Sequence, residues 1–169
     1  MERKHDISRH GLKMKEGEMD KPVVDIFTYT TIKGPRKRDG ACGYVLQTIT
    51  PDGPRTLEDF VLLHDMAEQR AELTATLSAL ERINRSCIII LHTASEYVRS
   101  GFEGLLDKWV ECGWKTSRGG DVANREEWLR ILSIRNGNDI SVVVEPDHEY
   151  ASWLEHETER FYRKEIHHV

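Results

Sequence analysis

The stretch IILHTASEYVRSG, residues 89–101, decides how the rest of the chain is read. With Ile88 before it, it opens as the kind of apolar run a central parallel strand shows when both faces are covered. Thr93, Ala94 and Ser95 stop the run, and a helix-like pattern starts straight afterwards. Where a strand hands over to a helix in this way, its C-terminal tip is where active-site residues collect. Here the tip carries Ala94, a methyl group with no chemistry to offer. The stretch predicts an α/β fold and raises a question: either the site lies elsewhere, or it has been lost.

Working outward, three strand-like runs come first. PVVDIFTYTT (22–31), ACGYVLQTIT (41–50) and RTLEDFVLLH (55–64) are rich in β-branched and aromatic residues. The turns between them, KGPRKRDG (33–40) and PDGP (51–54), are short and hold glycine and proline, so the runs predict an antiparallel meander. The period then changes. In DMAEQRAELTATLSALERIN (65–84), Leu73, Leu77, Leu80 and Ile83 recur at helical steps, which predicts an amphipathic helix. Beyond Ser95, one or two helices run to Gly113 with a break near Ser100 and Gly101, and a loop covers 114–120. NREEWLRILSI (124–134) is a helix for which Asn124, with Glu127 three residues on, predicts a capping box. ISVVVE (140–145) is a last strand ended by Pro146, and residues 148–166 form a charged amphipathic helix. The expectation is a five-stranded mixed sheet, three antiparallel strands and then parallel ones, flanked by helices.

The 169 residues fit one domain, placed at 22–165 behind a charged, flexible arm at 1–21. No apolar run approaches the ~18 residues of a membrane span, and the first residues lack the apolar core of a secretory signal. No membrane partner is expected. Cys42, Cys87 and Cys112 are odd in number and lack metal-ligand spacing, so they read as reduced thiols of a cytoplasmic protein. A formal net charge of -5 argues against strong non-specific binding to nucleic acid and leaves that role to a local basic patch.

Four words inside this frame resemble type 1 ribonuclease H, and together they reach from about Val23 to Thr158. DIFTYTT (25–31) is similar to the first-strand segment of that family, QRAELTATLSAL (69–80) to its first helix, and HTASEYVRSG (92–101) to its strand–helix junction. LLDKWVECGWKTSRGGDVANREEWLRIL (105–132) resembles the tryptophan-bearing helix and loop called the handle. Four words in the right order, each on the right predicted element, carry more than any one of them. The resemblance implies an RNase H-like fold and cleavage of the RNA strand of an RNA–DNA hybrid. It also implies four carboxylates holding two Mg²⁺ ions about 4 Å apart, hard cations that take oxygen ligands.

Carried over position by position, the family's first-strand aspartate falls on Tyr29 and its strand-tip aspartate on Ala94. The helix glutamate falls on Glu72, which is kept. The last carboxylate falls near Glu155 or Glu157, and the family's mobile histidine on His148. A phenol with a pKa of ~10 is neutral at pH 7 and a poor Mg²⁺ ligand, and alanine is none at all. The answer to the opening question is a site that has been lost, with no metal cofactor expected. The alternative is a working ribonuclease that uses Mg²⁺ or Mn²⁺ on a rewired site of Glu72, His148 and Glu157. A new mononuclear site of His92, Glu68 and Glu72 competes with the plainer reading of a buried strand histidine and an exposed glutamate.

The expected partner is an RNA–DNA hybrid or other nucleic acid, bound weakly, or else a protein. Candidate contacts are Arg70 on the first helix, and Trp109, Trp114, Lys115, Arg118 and Asn124 in the handle. To these the first hairpin turn adds the basic run Lys33, Arg36, Lys37 and Arg38, poised for phosphates. Glu68, just before Arg70, is an acid expected to repel phosphate. The handle tryptophans serve equally to pack its helix on a neighbour.

Overall fold

The computed structural model describes residues 21–167; apart from Lys21, the expected arm at 1–21 lies outside the described residues. The first three strands are β1 (Val23–Thr30), β2 (Arg38–Thr50) and β3 (Gly53–Met66). Helix α1 (Glu68–Leu80), strand β4 (Ile88–Thr93), helix α2 (Glu96–Ser100) and a π-helical turn (Gly101–Leu105) come next. The chain ends with α3 (Leu106–Glu111), α4 (Arg125–Arg135), β5 (Asp139–Val144) and α5 (Ala151–Ile166). The sheet order is β3-β2-β1-β4-β5. β1 pairs β2 and β2 pairs β3 antiparallel, while β1–β4 and β4–β5 are parallel, so the expected mixed sheet forms.

β4 is buried at all six positions; its first four read as an unbroken apolar run, and His92 and Thr93 are buried polar residues. β5, at the edge, alternates exposed and half-buried residues. The β2–β3 hairpin is longer than its sequence suggested. Arg38 to Gly40, read as turn, join β2 across a bulge opposite Leu63 to Met66. The Asp39 carboxylate accepts from the Asp65 amide at 2.9 Å and pairs with His64, so polar side chains hold this exposed end together.

Successive side chains of β1 enter different cores. Ile26 joins Leu73, Leu77, Leu91, Trp128 and Ile131 in the larger one, beneath α1 and α4. Phe27 joins Val45 and Leu154 in a smaller one, where α5 crosses β1, β2 and β3. Each fully buried large side chain contributes roughly 1.5–3 kcal/mol, so the larger core holds most of the fold's stability.

The handle segment closes on Trp128. A Cβ on Gly101 would stand 2.0 Å from the Trp128 ring, so glycine there lets the helix pass close to the indole, but Ser100 and Gly101 keep helical backbone angles and the break between α2 and α3 falls at Gly104, later than the sequence suggested. The Trp128 indole donates to the Tyr97 hydroxyl at 2.9 Å. The expected capping box does not form. Asn124 precedes α4 with a φ of 60° and gives its amide to Tyr97 at 3.1 Å, while Glu127 pairs with Arg70. Tertiary partners compete for both side chains and take them from the helix end. Among the described residues, no helix is long and apolar enough to cross a membrane.

Candidate active-site pocket and nucleic-acid interface

The end of β1 brings together Tyr29, Lys33 and Glu72. Tyr29 donates its hydroxyl to Glu159 Oε1 at 3.4 Å. Burial, then the charges of Glu159 and Glu155, push its phenol up to about 12, so the proton stays on at any working pH. Lys33, reaching back from the β1–β2 loop, sets Nζ 4.7 Å from the centroid of that ring, a cation–π contact. Glu72 comes from α1 and is 3% exposed, and among the described residues its Oε2 has no hydrogen-bond partner. Burial pushes its carboxyl up to about 7; Lys33 opposes the shift and Glu68 adds to it. Ala94 lies exposed just past the tip of β4. Of the acids on α5, Glu155 and Glu159 bear on Tyr29, whereas Glu157 pairs with Arg160 at 3.7 Å.

These residues do not fit a two-metal centre. The first-strand position offers a neutral phenol under an ammonium, and the strand tip offers a methyl. Among the described residues no three His, Cys, Asp or Glu side chains are grouped so as to hold a metal ion. Glu68, His92 and Glu72 do not converge either. Glu68 Oε2 accepts from the Gly34 amide at 2.8 Å, and His92 lies between two other acids.

A buried carboxyl with an orphan oxygen has a pH signature. The folded value of Glu72 stands above its usual 4.5, so its protonated form stabilises fully below that value, and the contribution is lost as pH rises through about 7. Glu72→Gln is expected to raise stability at pH 8 by about 2 kcal/mol and to change it little at pH 4.5. Urea unfolding of both proteins across that range checks this; a variant less stable at pH 8 refutes it.

His92 is the centre of a network that the strand pattern alone does not disclose. Its Nε2 is 2.8 Å from Asp25 Oδ1 and its Nδ1 2.8 Å from Glu145 Oε2, and its ring stacks on Phe27 at 4.4 Å. Burial favours the neutral imidazole, but the bonds to Asp25 and Glu145 outweigh it and the net displacement is upward. His148 is pinned as well. Its Nε2–H donates to the Thr28 carbonyl at 3.2 Å, and Nδ1 accepts from the Tyr150 amide at 3.2 Å. Burial, with a contribution from His92, holds it below the usual histidine value. Both ring nitrogens are thus taken up by backbone, which leaves neither for a metal.

The candidate nucleic-acid residues divide into tied and free groups. Arg70 is held by Glu127 at 3.1 Å, and Lys115 pairs with Asp121. Trp109 lies 6.0 Å from Trp114 and 5.5 Å from Trp128, ring to ring; Trp114 and Trp128 are buried, so these rings pack the handle onto the core. Arg36, Lys37, Arg38 and Arg118 are exposed and make no ion pair among the described residues. Glu68 acts on the basic loop in an unforeseen way. Besides accepting from Gly34, it donates its own amide to the Gly34 carbonyl at 3.1 Å, which fastens the loop to the head of α1.

The sheet order and the helices on both faces define an RNase H-like α/β fold. The chain belongs to the RNase H family, whose model matches residues 23–151. Ribonuclease H of Gluconobacter oxydans (strain 621H) is 36% identical over 129 residues, 75% of this chain and 81% of that protein. Ribonuclease HI of Xylella fastidiosa (strain Temecula1 / ATCC 700964) is 46% identical over 69 residues, and the match spans 41% of this chain and 46% of that relative's length. Among solved structures, LC9-RNase H1, described as a type 1 RNase H with the type 2 active-site motif, superposes with a TM-score of 0.72 at 17% identity, covering 85% of this chain and 74% of that one. The foamy viral protease-reverse transcriptase in complex with an RNA/DNA hybrid gives 0.62 at 18% identity, covering 94% and 21%. At such identities the likeness is one of fold.

Proposed function

We propose that this chain is a ribonuclease H-family domain that binds an RNA–DNA hybrid weakly, without cleaving it and without a metal cofactor. The observation that carries the reading is the Lys33 ammonium over Tyr29, at the place where family members present a metal-binding aspartate. One elementary positive charge on a neutral ring stands in for a carboxylate, and Ala94 removes a second ligand. Binding rests on the basic run at the β1–β2 connection, with Arg36 and Lys37 in the loop that also carries Lys33, and Arg38 opening β2. The same reading places the protein in the cytoplasm, in keeping with three free thiols.

Two measurements on a labelled hybrid test it. Incubation with Mg²⁺ or Mn²⁺ is expected to give no turnover, and turnover abolished by Glu72→Gln would show an active rewired site instead. A gel shift is expected to show weak binding that fades with salt. Replacing Arg36, Lys37 and Arg38 together by alanine should weaken binding and reduce the log–log salt slope by up to about 3. A wild-type protein that never shifts the hybrid would leave a protein-interaction module as the better reading.

A further inference from the structure

β3 is an edge of the sheet: one side pairs with β2, and no described strand lies beyond the other. From Pro54 to Asp59 every residue is exposed. The Phe60 amide donates to the neighbouring Asp59 carboxylate, Oδ1 at 2.8 Å, so it points away from β2 and is capped only by its own strand. Alternate amides of a strand point the same way, so those of Thr56 and Glu58 face outward too, and Pro54 stands where an outward N–H would be. Side chains alternate as well. Leu57 lies opposite Leu46 and Asp59 opposite Tyr44, on the face that α1 covers, and Arg55 shares that face. Leu57 is 40% exposed. Asp59 Oδ2 accepts from Arg82 at 3.2 Å, and Arg55 makes no ion pair among the described residues.

We infer that β3 pairs antiparallel with β3 of a second copy of this chain, joining two sheets into one across a two-fold axis at Leu57. Such an axis requires one residue to face its own copy. With Leu57 in that place, Arg55 meets Asp59 on both sides of the axis, Thr56 meets Glu58, and Pro54 meets Phe60. The Leu57 amide points to β2, so the two leucines form the non-hydrogen-bonded kind of pair, in which side chains come closest. Slipping the register by two residues sets Glu58 on Glu58 in one direction and opposes Arg55 to Leu57 in the other. Opposite charges across a ladder stabilise it and like charges destabilise it, so the charges select one register. On pairing, the Phe60 amide passes from Asp59 to the Pro54 carbonyl of the second copy, which frees Asp59 for Arg55 of that copy. The outward groups from Pro54 to Phe60 give about six hydrogen bonds, and the missing N–H of Pro54 ends the ladder. Any extended peptide could meet the backbone row, but a second copy supplies both charge pairs and the apolar centre at once. Arg38 lies opposite Met66, nine residues from Leu57 and roughly 30 Å away by strand rise, so the basic loop stays clear of the axis. The inference therefore stands apart from the hybrid reading.

The test is sedimentation equilibrium of the full chain, without nucleic acid, from about 1 to about 300 µM, where monomer is expected to pass into dimer. Arg55→Asp and Asp59→Arg should each weaken the dimer at least tenfold, because each sets like charges across the axis. An equimolar mixture of these two variants should recover dimer to within about threefold of wild type, since every aspartate then faces an arginine. Both variants remain net negative, so general attraction between them does not produce that recovery. Thr56→Pro removes an outward amide that the folded monomer does not use, and should weaken the dimer at least tenfold while the circular dichroism of the monomer is kept. If Asp59→Arg disturbs folding through its contact with Arg82, Arg55→Asp and Thr56→Pro still read the edge. A chain that stays monomeric throughout overturns the proposal. So does a dimer indifferent to Thr56→Pro, which would lie on another surface, and so does a mixture of folded variants no more dimeric than its components.

Discussion

Restoring the two missing carboxylates is expected to produce hybrid cleavage, but only if Lys33 is removed with them. Tyr29→Asp and Ala94→Asp alone would set a new acid beneath the Lys33 ammonium, which lies 4.7 Å from the centroid of the ring being replaced. At ~4 Å and an effective dielectric of about 20 that attraction is worth roughly 4 kcal/mol, and any divalent ion has to displace it. Adding Lys33→Ala removes the competitor. It also takes away the charge that now draws Glu72 towards ionisation, and bound metal would supply that pull in its place. The triple variant should therefore cleave a labelled hybrid in Mn²⁺ at least 100-fold above the wild-type background, with the double variant at least tenfold below the triple. A correctly folded triple variant that stays at background would show that the pocket around Glu72 has lost more than its ligands.

His92→Leu should lower the melting temperature by about 6–12 °C, the counterpart of about 3 kcal/mol in a chain of this size. The substitution keeps an apolar body against Phe27, but it leaves Asp25, 3% exposed, and Glu145 without the imidazole that each contacts at 2.8 Å. Breaking a buried pair by deleting one partner is costly because the remaining charge stays out of water. The groups that face His92 are Asp25 from β1, Glu145 just beyond β5, and His148 ahead of α5. Since the folded imidazole titrates above its usual 6.5, its contribution is complete below that pH and is lost as pH rises through the raised value. Wild type should therefore lose stability above pH 6.5 along a slope that His92→Leu lacks. Glu72→Gln removes the separate slope between about 4.5 and 7, so the two variants apportion the profile. A His92→Leu protein with unchanged melting at pH 6 would refute the role given to this network.

How far each feature could be read from the chain depended on how locally it is encoded. The unbroken run Ile88 to Leu91 announces a strand covered on both faces, because burial on two sides favours apolar residues at successive positions. The period-two runs before it and the helical spacing of Leu73, Leu77 and Leu80 determine the remaining elements in the same local way. That Tyr29 and Ala94 stand where the resemblance implies aspartates is equally plain, since it needs only the identity of two residues on recognisable words. The partners of the polar side chains were not legible. Asp25 and His92 each read as ordinary strand positions, Glu145 as the end of another, and Asn124 and Glu127 as a helix cap.

What the sequence by itself determined is the set of elements, their order, and the presence of a phenol on β1 and a methyl at the tip of β4. Only the tertiary structure decided that Asp25, His92 and Glu145 meet, that Glu68 fastens the basic loop, and that Lys33 covers Tyr29. The reason is physical. Periodicity reports which face of an element is buried, a property of neighbouring residues. A hydrogen bond between residues 67 and 53 positions apart depends on the register of parallel strands and the reach of a loop, and no local pattern encodes either.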